Sequence, residues 1–449
     1  MKGEDNMTMG GILVRHEGIF ESAVSQASQN TAPITSSHSD VFMLIRLFVL
    51  AVIPFVLVDA AIYQLQMFVA GGRAPVTAAV LKLALLSALM VAALLRCKIA
   101  NPKLMRIGLL FIAYLVLDLL FLYFNVGIDF VDILVSYNIY YLIFFIDILA
   151  LCVPLRISDR LLVRVAIGCF LICAPLGFAQ YFSQRPIVPT ESGDNNFRVL
   201  VWNAAGGIRA FSLFTAPGFF GLFSSLIASI SIAMCRLRRN WIVALPLLLM
   251  SVFACWISLT RSDLVGLACA LTTACLITFS KKKNRARWLP LVYVPLGVLV
   301  GIYAFFLSSS GSGTRAITDT SSFTERLYEW GFYLGSFRMD KWPTFLFGSG
   351  LVQSEKVQTN GSIVPIDNLY LAVTLHTGIV GLALTMALFW TLWEWLRKRA
   401  ELRTSYLYTA VAASFSTLWC VGLFSVSAAA LGGMLLLCAV SKIDGVAPA

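Results

Sequence analysis

Apolar runs recur along the whole of this 449-residue chain, and they constrain its fold more than any other feature. Each run approaches the roughly 20 residues that a helix needs to cross the hydrocarbon core of a bilayer. Backbone polar groups inside a bilayer must be hydrogen-bonded within the chain, so each run is predicted to be a helix. We place twelve candidate spans at residues 42–60, 76–95, 105–124, 131–153, 161–180, 213–234, 241–258, 264–280, 288–307, 367–392, 405–424 and 426–440.

The composition supports a membrane protein and excludes a soluble domain. Hydrophobic residues form 59% of the chain and charged residues only 13%, with a mean hydropathy of +0.83. The predicted fold is therefore an all-α polytopic membrane protein of about twelve transmembrane helices, with one large external loop between spans 9 and 10. It comprises a flexible tail over residues 1–40, a membrane domain over 41–441 that includes the loop 308–366, and a tail over 442–449.

Basic residues alternate between the connections, and this alternation predicts the orientation of the chain. Short loops rich in Lys and Arg face the cytoplasm under the positive-inside rule. Such residues fall in every second connection, which places both termini in the cytoplasm. Most of the net charge of +11 is then a topology signal, and no nucleic-acid partner is expected. The basic residues of these connections are Arg96, Lys98, Lys103, Arg106, Arg156, Arg160, Arg164, Arg236, Arg238, Arg239, Lys281, Lys282, Lys283, Arg285, Arg287, Arg397, Lys398, Arg399 and Arg403.

Cysteine and histidine placement gives no sign of a metal or redox centre. The ten cysteines lie in predicted spans or at their cytoplasmic edges, so a disulfide framework is not expected. Only His376 among the histidines lies within the membrane domain, and no CxxC, HExxH or GxxxxGKS/T pattern occurs. We therefore expect neither a metal nor another cofactor.

Arginines on the predicted external side need an explanation other than topology. Arg209 precedes the sixth span, and Arg261 lies in the tight turn between spans 7 and 8. A boundary arginine is costly unless it reaches water, pairs with an acid or binds an anion, and its planar fork suits a phosphate. We interpret these two as residues that bind a phosphate or diphosphate. In the long loop Arg315 is interpreted as solvated, whereas Arg326 and Arg338 have acidic neighbours with which they can pair.

The segments that carry these arginines, with several others, resemble a known family in their order along the chain. They are Arg209–Gly221, Ser258–Gly266, Glu325–Trp330, Phe347–Gly350, Asp367–Leu371 and Gly378–Gly381. Together with the topology they resemble the O-antigen ligase/polymerase superfamily over residues 197–392. One departure is Thr260, which stands where the family's Ser-x-Ser-Arg signature has its second serine.

The resemblance implies an activity and its partners. The activity is that of a metal-independent, lipid-linked glycosyltransferase of the polysaccharide-polymerase type at the outer face of the bacterial inner membrane. Its product would be an O-antigen, capsule or exopolysaccharide. Its substrate would be an oligosaccharide on undecaprenyl diphosphate, and its expected partners are membrane lipid, a chain-length regulator and a flippase.

The resemblance also assigns residues to the site. By family analogy Arg209, Arg261 and Arg326 bind the diphosphate, and Arg338 is a further candidate. Aromatic residues of the loop offer flat faces on which sugar rings can stack, or they anchor the loop at the membrane interface. These aromatic residues are Trp330, Tyr328 and Trp342.

The pair Asp367-Asn368 favours a polymerase over a ligase. In the ligases of this family the exit helix of the loop typically begins with a His-Asn pair, whose His is proposed to activate the acceptor hydroxyl. Asp367 can act as a general base or orient a sugar hydroxyl, with Asn368 beside it, and both residues are also favoured as helix N-caps. His376 lies about 13 Å further along the helix, so a buried packing role is expected for it. A ligase that transfers the glycan to lipid A-core remains the alternative.

A transporter or flippase for the same lipid-linked glycan is the alternative from another class. Asp59, Asp118 and Asp147 are acids in or near spans, and ionisable residues inside a membrane commonly mark transport paths. Transporters are often built from internal repeats, and no repeat is detectable here. The single large loop favours an enzyme, and the clustered external arginines count against a non-catalytic scaffold.

Overall fold

The computed structural model describes residues 36–58, 76–96, 102–126, 142–152, 155–185, 203–204, 207–214, 216–236, 240–280, 285–309, 330, 342–348, 358–359, 362–363, 368–401, 405–423 and 431–442. Within these ranges the chain is mostly helical, and it is a helical polytopic membrane protein. Its contacts divide it into two units, residues 1–47 and residues 48–449.

The helices follow the predicted apolar runs. Every predicted span overlaps a described helix, although of the run 131–153 only 142–152 is described. Six of the described helices are long and apolar enough to cross a membrane. The count of twelve spans and the orientation stay predictions. The helices are α1 (Ser36–Leu57), α2 (Val76–Arg96), α3 (Pro102–Phe121), α4 (Leu142–Cys152), α5 (Asp159–Ser183), α6 (Pro217–Met234), α7 (Trp241–Ile257), α8 (Arg261–Phe279), α9 (Leu289–Ser309), α10 (Trp342–Phe347), α11 (Leu369–Glu401), α12 (Tyr406–Ser416), α13 (Leu418–Val421) and α14 (Leu431–Val440).

Short strands and turns tie the helices together without forming a layer of their own. A π-helical turn, Leu122–Val126, follows α3, and a 3-10 turn, Arg285–Trp288, precedes α9. The nine cysteines among the described residues are free thiols. The strand pairs in the described chain are β1 (Ile157–Ser158) parallel to β6 (Ser441–Lys442), β2 (Asn203–Ala204) antiparallel to β3 (Gly207–Ile208), and β4 (Gln358–Thr359) antiparallel to β5 (Ser362–Ile363).

Helix α6 forms the centre of the helical core. Its apolar stretch is 83% buried, the highest share among the candidate spans, and it packs against α7, α8 and α12. Ser224, Ser225, Ser229 and Ser231 each donate to the carbonyl four residues earlier, so their hydroxyls need no other partner. Small residues of this kind allow helices in membranes to approach closely.

A polar cluster joins α8, α9 and α12 inside the core. Thr273 Oγ1 lies 2.7 Å from Tyr293 Oη and 2.9 Å from Ser416 Oγ. The Tyr293 hydroxyl also donates to the Cys269 carbonyl at 3.0 Å. Interhelical hydrogen bonds are one of the few forces that select partners among apolar helices, because lipid competes equally for apolar side chains. The cluster therefore fixes how these three helices face one another.

The described residues next to three of the basic connections lie at the same end of their helices. Asn240 donates to the Tyr406 hydroxyl at 3.2 Å, and Arg287 pairs with Glu394 at 3.3 Å. Glu394 also accepts from Arg397 at 2.9 Å. The turn between α7 and α8 and the start of α11 lie at the opposite end of these helices. The arginine-bearing turns are thus separated from the basic connections, in agreement with the alternation along the sequence.

Candidate active site

The segment that carries Arg209 is fixed by Gln180, a fully buried residue near the end of α5. Gln180 Oε1 accepts hydrogen bonds from the backbone nitrogens of Phe211 at 3.1 Å and Ser212 at 2.7 Å, and Nε2 donates to the Ser212 carbonyl at 3.4 Å. Ser212 has a φ of 53°, which costs a non-glycine residue on the order of 1 kcal/mol. Its hydroxyl donates to the Cys173 carbonyl at 2.6 Å. The Gln180 side chain and the Ser212 hydroxyl, which bonds to the backbone of α5, therefore hold an unfavourable backbone conformation in place.

Two further hydrogen bonds flank this arginine directly. The Ile208 nitrogen donates to Gln184 Oε1 at 2.7 Å. The Ala210 nitrogen donates at 3.1 Å to the carbonyl of Ile257, the last residue of α7. This second bond joins the segment to the turn that leads into Arg261. The structure therefore brings together the two segments whose arginines were predicted to share a site.

The turn between α7 and α8 is short and internally hydrogen-bonded. Ser258 Oγ donates to the Cys255 carbonyl at 2.7 Å, and Thr260 Oγ1 donates to the Ser258 carbonyl at 3.1 Å. Leu259 adopts a φ of 49°, which reverses the chain. Arg261 is the first residue of α8 and is exposed. An exposed guanidinium at a helix N-terminus is well placed for an anion, because the helix dipole favours negative charge at the same point.

The carboxyl group of Asp263, in the first turn of α8, lies near Arg209 and two residues after Arg261. It is fully buried and packs against α6 at Gly221, where a Cβ would lie 2.1 Å from Asp263 Oδ2. Glycine is therefore required at this position of the first motif. Burial acts most strongly on this carboxyl and opposes its charged form, whereas the Thr260 hydroxyl and the guanidinium charge of Arg209 favour that form. A buried acid is tolerated in a span where a cation offsets its charge.

Asn368 caps the start of α11. Its Oδ1 accepts from the Leu371 nitrogen at 3.0 Å, and its carbonyl accepts from the Ala372 nitrogen at 2.8 Å. The buried side chain thus has the N-cap geometry that the sequence offered as one of two roles for this pair. The Leu369 nitrogen donates to the Gly422 carbonyl at 2.9 Å, which ties α11 to the end of α13. A catalytic role for Asn368 stays a prediction.

Helix α13 links the starts of α8 and α11. A Cβ at Gly266, in the second turn of α8, would lie 2.9 Å from Val421 Cγ2. Gly422 lies against the ring of Tyr370, whose hydroxyl donates to the Leu418 carbonyl at 2.9 Å. The arginine-bearing turn and the capped start of α11 are therefore held at the same end of the bundle by one short helix.

Helix α11 is broken at Gly378. This residue has φ 65° and ψ −172°, a conformation that essentially only glycine adopts. A Cβ on Gly378 would lie 2.1 Å from the Leu346 carbonyl oxygen. Gly348, with a φ of 81°, makes the reciprocal approach, since its Cβ would lie 2.3 Å from the His376 carbonyl oxygen. The end of α10 therefore packs backbone to backbone against the break.

Tyr114 of α3 bridges the break in α11. Its hydroxyl donates to the carbonyl of Thr377, the residue just before the break. It also lies 3.3 Å from the Leu346 carbonyl oxygen, and its ring stacks on Phe347 with the centroids 6.3 Å apart. One side chain thus satisfies backbone groups that an interrupted membrane helix would leave open.

Part of the predicted external loop consequently lies between the helices. Gly378 is about 14 Å along α11 from its first residue, and the segment Trp342–Gly348 reaches that depth. Phe347 also contacts Phe121 of α3 at a centroid distance of 5.2 Å. This part of the loop has a fixed anchoring point inside the bundle. Trp342, at the start of α10, is 68% exposed and is accessible to a sugar or to the membrane interface.

The bridge made by Tyr114 can be tested through stability. We expect Tyr114→Phe to lower the free energy of unfolding by about 1–3 kcal/mol, because two buried backbone groups lose their shared partner. Thermal unfolding of the purified protein in detergent measures the change. Tyr123→Phe is the matched control, since Tyr123 is 47% exposed. Equal melting temperatures for the two variants would contradict the bridge.

Several predicted site residues lie outside the described part of the chain, and their roles stay predictions. They are Asp367, Arg326, Arg338 and Tyr328. Trp330 is described and is partly buried. Its stacking role is likewise untested.

Three supporting residues were not identified from the sequence. Asp263 lies within the second motif but had no role assigned, and Gln180 and Tyr114 lie outside all the motifs. Each of the three is a polar side chain within or beside an apolar span. Such a side chain costs free energy in a membrane, so its presence indicates a structural or functional role. Without knowledge of which helices are neighbours, that role cannot be assigned to a particular segment.

The fold and the site define a class: a helical polytopic membrane protein whose arginine-bearing turns lie at one end of the bundle. Residues 245–386 match the O-antigen ligase family (Wzy_C). This range runs from α7 through the Arg261 turn and the long loop into α11 beyond its break. The match confirms the resemblance to the O-antigen ligase/polymerase superfamily, whose members are glycosyl-transferring enzymes. A comparison with curated proteins finds no match.

Proposed function

We propose that this chain polymerises oligosaccharide repeat units carried on undecaprenyl diphosphate into a long surface polysaccharide at the outer face of the inner membrane. The observation that carries the proposal is the hydrogen bond from Ala210 to Ile257. It makes one unit of the segments that bear Arg209 and Arg261. Two arginines from separate parts of the chain are then available to one diphosphate, which carries several oxygens suited to guanidinium forks.

In the proposed reaction an acceptor hydroxyl attacks the anomeric carbon of the sugar that is linked to the diphosphate. The bond from that carbon to the diphosphate oxygen breaks, and undecaprenyl diphosphate leaves with the electron pair. The hydroxyl proton passes to a base, for which Asp367 is the candidate. Arg209 and Arg261 stabilise the negative charge that develops on the leaving group, and preorganised donors of this kind commonly make the largest single contribution to catalysis.

The arrangement around Arg209 is compatible with both a structural and a substrate partner. A guanidinium carries five N–H donors in a planar fork. Arg209 can therefore act on the buried Asp263 and still donate to phosphate oxygens. Arg261 is exposed at the start of α8, so its guanidinium is accessible to an anion at this turn.

Aromatic side chains beside the segment that carries Arg209 offer a surface for the lipid tail. Phe178 and Phe182 of α5 contact Phe253 of α7 at centroid distances of 5.1 and 6.3 Å. Phe182 is 72% exposed and Trp256 is 45% exposed. These residues occupy the last turns of α5 and α7, next to the Arg209 segment. A polyprenyl chain lying there would have its diphosphate at the arginines.

A ligase is the second candidate, because the matched family is described as O-antigen ligase. The pair Asp367-Asn368, in place of His-Asn, favours the polymerase. Besides the acids in or near spans, the broken helix α11 is compatible with a flippase, since discontinuous helices are common in transporters. Here the break is filled by the backbone of residues 346–348 and by Tyr114, which favours a static role for it.

The glycan profile of a deletion strain separates these functions. Loss of a polymerase is expected to leave single repeat units on the final acceptor and no long chains. Loss of a ligase would leave the acceptor bare while long chains persist on the lipid carrier. Loss of a flippase would hold the repeat units in the cytoplasmic leaflet, out of reach of an added external glycosidase. Either of the last two patterns would contradict the polymerase assignment.

A further inference from the structure

We propose that Gln180 is a positioning residue of this site: its buried amide fixes the backbone from which Arg209 reaches the diphosphate. This inference rests on the proposed function, because it requires Arg209 to bind a diphosphate. Gln180 lies in α5, outside the matched range 245–386. It is proposed to contact neither sugar nor lipid phosphate and to act only through the arginine.

The burial of Gln180 indicates a specific task. An amide removed from water costs free energy unless it is hydrogen-bonded, and Gln180 is fully buried while Phe182 and Ile172 on the same helix are 72% and 62% exposed. Each of its three described hydrogen bonds goes to the backbone of Phe211 or Ser212. The described hydrogen bonds of this side chain therefore stabilise the segment that carries Arg209 and not its own helix.

Fixing Ser212 also fixes Arg209, because only two residues lie between them. The chain turns at Ser212 with a positive φ, and Gln180 Oε1 stabilises that turn by accepting from its nitrogen. The upstream bond from Ile208 goes to Gln184, which is exposed, so water can replace that acceptor. Water has no comparable access to the buried amides near Gln180. Gln180 is therefore the less replaceable of the two glutamines.

Displacement of the segment should weaken the binding of the diphosphate. A guanidinium donates two parallel hydrogen bonds only over a narrow range of positions and angles. A misplacement of roughly 1 Å in a site can cost on the order of 100-fold in rate. Removing the Gln180 amide is therefore expected to reproduce much of the loss caused by Arg209→Ala. The contribution of Arg261 should remain, because its turn is held by other bonds.

A double-mutant cycle between Gln180 and Arg209 tests the proposal. The probe is undecaprenyl diphosphate bound to the purified full-length protein in lipid nanodiscs, with undecaprenyl monophosphate as the reference ligand. Gln180→Met preserves length and removes the amide, and we expect it to weaken diphosphate binding on the order of tenfold. Adding Arg209→Ala to this variant should cost less than about threefold more, because the two changes remove one interaction. Adding Arg261→Ala to Gln180→Met should weaken diphosphate binding by the same factor as Arg261→Ala does in the native protein.

The controls separate positioning from a merely structural role. If Gln180 only stabilises the fold, Gln180→Met lowers the melting temperature, and its effect multiplies with that of Arg209→Ala; this result would overturn the proposal. Gln180→Glu keeps an acceptor oxygen for the two backbone nitrogens, so it should retain more affinity than Gln180→Met. If Gln180→Met does not fold, Gln180→Leu, which also removes the amide, is used in the cycle in its place. Ser231→Ala, a buried serine bonded within α6, should leave binding unchanged.

Failure of the proposal is distinguishable from failure of the proposed function. Unchanged diphosphate binding in Arg209→Ala alone contradicts the proposed function, and the role of Gln180 falls with it. A clear loss in Arg209→Ala, combined with multiplicative losses in the cycle, contradicts only the role of Gln180.

Discussion

Arg261→Ala is expected to abolish glycan chain extension while the protein stays folded and at normal levels in the membrane. The Arg261 side chain is exposed at the start of α8, so its removal costs little packing. Loss of one preorganised donor to the leaving group is expected to lower the rate by about 100- to 1,000-fold. The length distribution of the glycan on a gel measures the effect. Arg164→Ala is the matched control, because Arg164 is also exposed and lies near the opposite end of α5.

Arg209→Ala is expected to give the same loss, but it also removes the cation that acts on the buried Asp263. Loss of this nearby cation leaves the fully buried carboxyl less well compensated, so Arg209→Ala is also expected to lower the free energy of unfolding. Arg209→Ala combined with Asp263→Asn removes the ionisable carboxyl as well, so stability should recover while chain extension remains absent. Long chains in this double variant would show that the arginine serves only Asp263.

Gly378→Ala is expected to have the second largest effect, a loss of folded protein. A non-glycine residue in this backbone conformation is strained by about 1–3 kcal/mol. In addition, the new Cβ would lie 2.1 Å from the Leu346 carbonyl oxygen, which forces α10 away from α11. The amount of monodisperse protein in size-exclusion chromatography and the melting temperature should both fall.

Gly168→Ala is the matched control for this substitution. Gly168 lies inside α5, and a Cβ there would meet no atom within 4 Å. Alanine in a helix interior is more stable than glycine by roughly 0.5–1 kcal/mol, so this variant should be as stable as the native protein or slightly more so. Equal stability of the two alanine variants would contradict the broken helix and the packing of α10 against it.

The positions of the helices could be predicted because the bilayer leaves the backbone few options. The predicted span 241–258 corresponds to α7 at Trp241–Ile257, and the predicted span 161–180 lies within α5 at Asp159–Ser183. Arg261 was predicted in a turn and is the first residue of α8. Differences of this size are expected, since polar residues at a helix end extend it without changing the apolar run.

The break in α11 could not be predicted in the same way. Gly378 lies in a continuous apolar run, and glycine is common in straight membrane helices. Its positive φ depends on the approach of Leu346 and on the hydroxyl of Tyr114, which are distant in sequence. A single sequence carries no information about these contacts.

The residues of the candidate site could be predicted from the sequence where placing their side chain at a membrane boundary costs free energy. Arg209 and Arg261 bear charges at a membrane boundary, so a reason for them could be sought from the sequence alone. Gln180 is neutral, so the sequence alone does not indicate a role for it. Its role follows only from the structure, in which Gln180 Oε1 accepts a hydrogen bond from the Ser212 backbone nitrogen. The residues that act can thus be inferred from charge, whereas the residues that position them depend on the packing of helices.

The affinity of the purified protein for undecaprenyl diphosphate, relative to undecaprenyl monophosphate, tests whether Arg209 and Arg261 form a diphosphate-binding site. The native protein should prefer the diphosphate. A variant with Arg209→Ala, Arg261→Ala and Asp263→Asn should be folded and should lose that preference, with the diphosphate bound about 100-fold more weakly. Undiminished binding of the diphosphate by this folded variant would contradict the claim that the two arginines form its binding site.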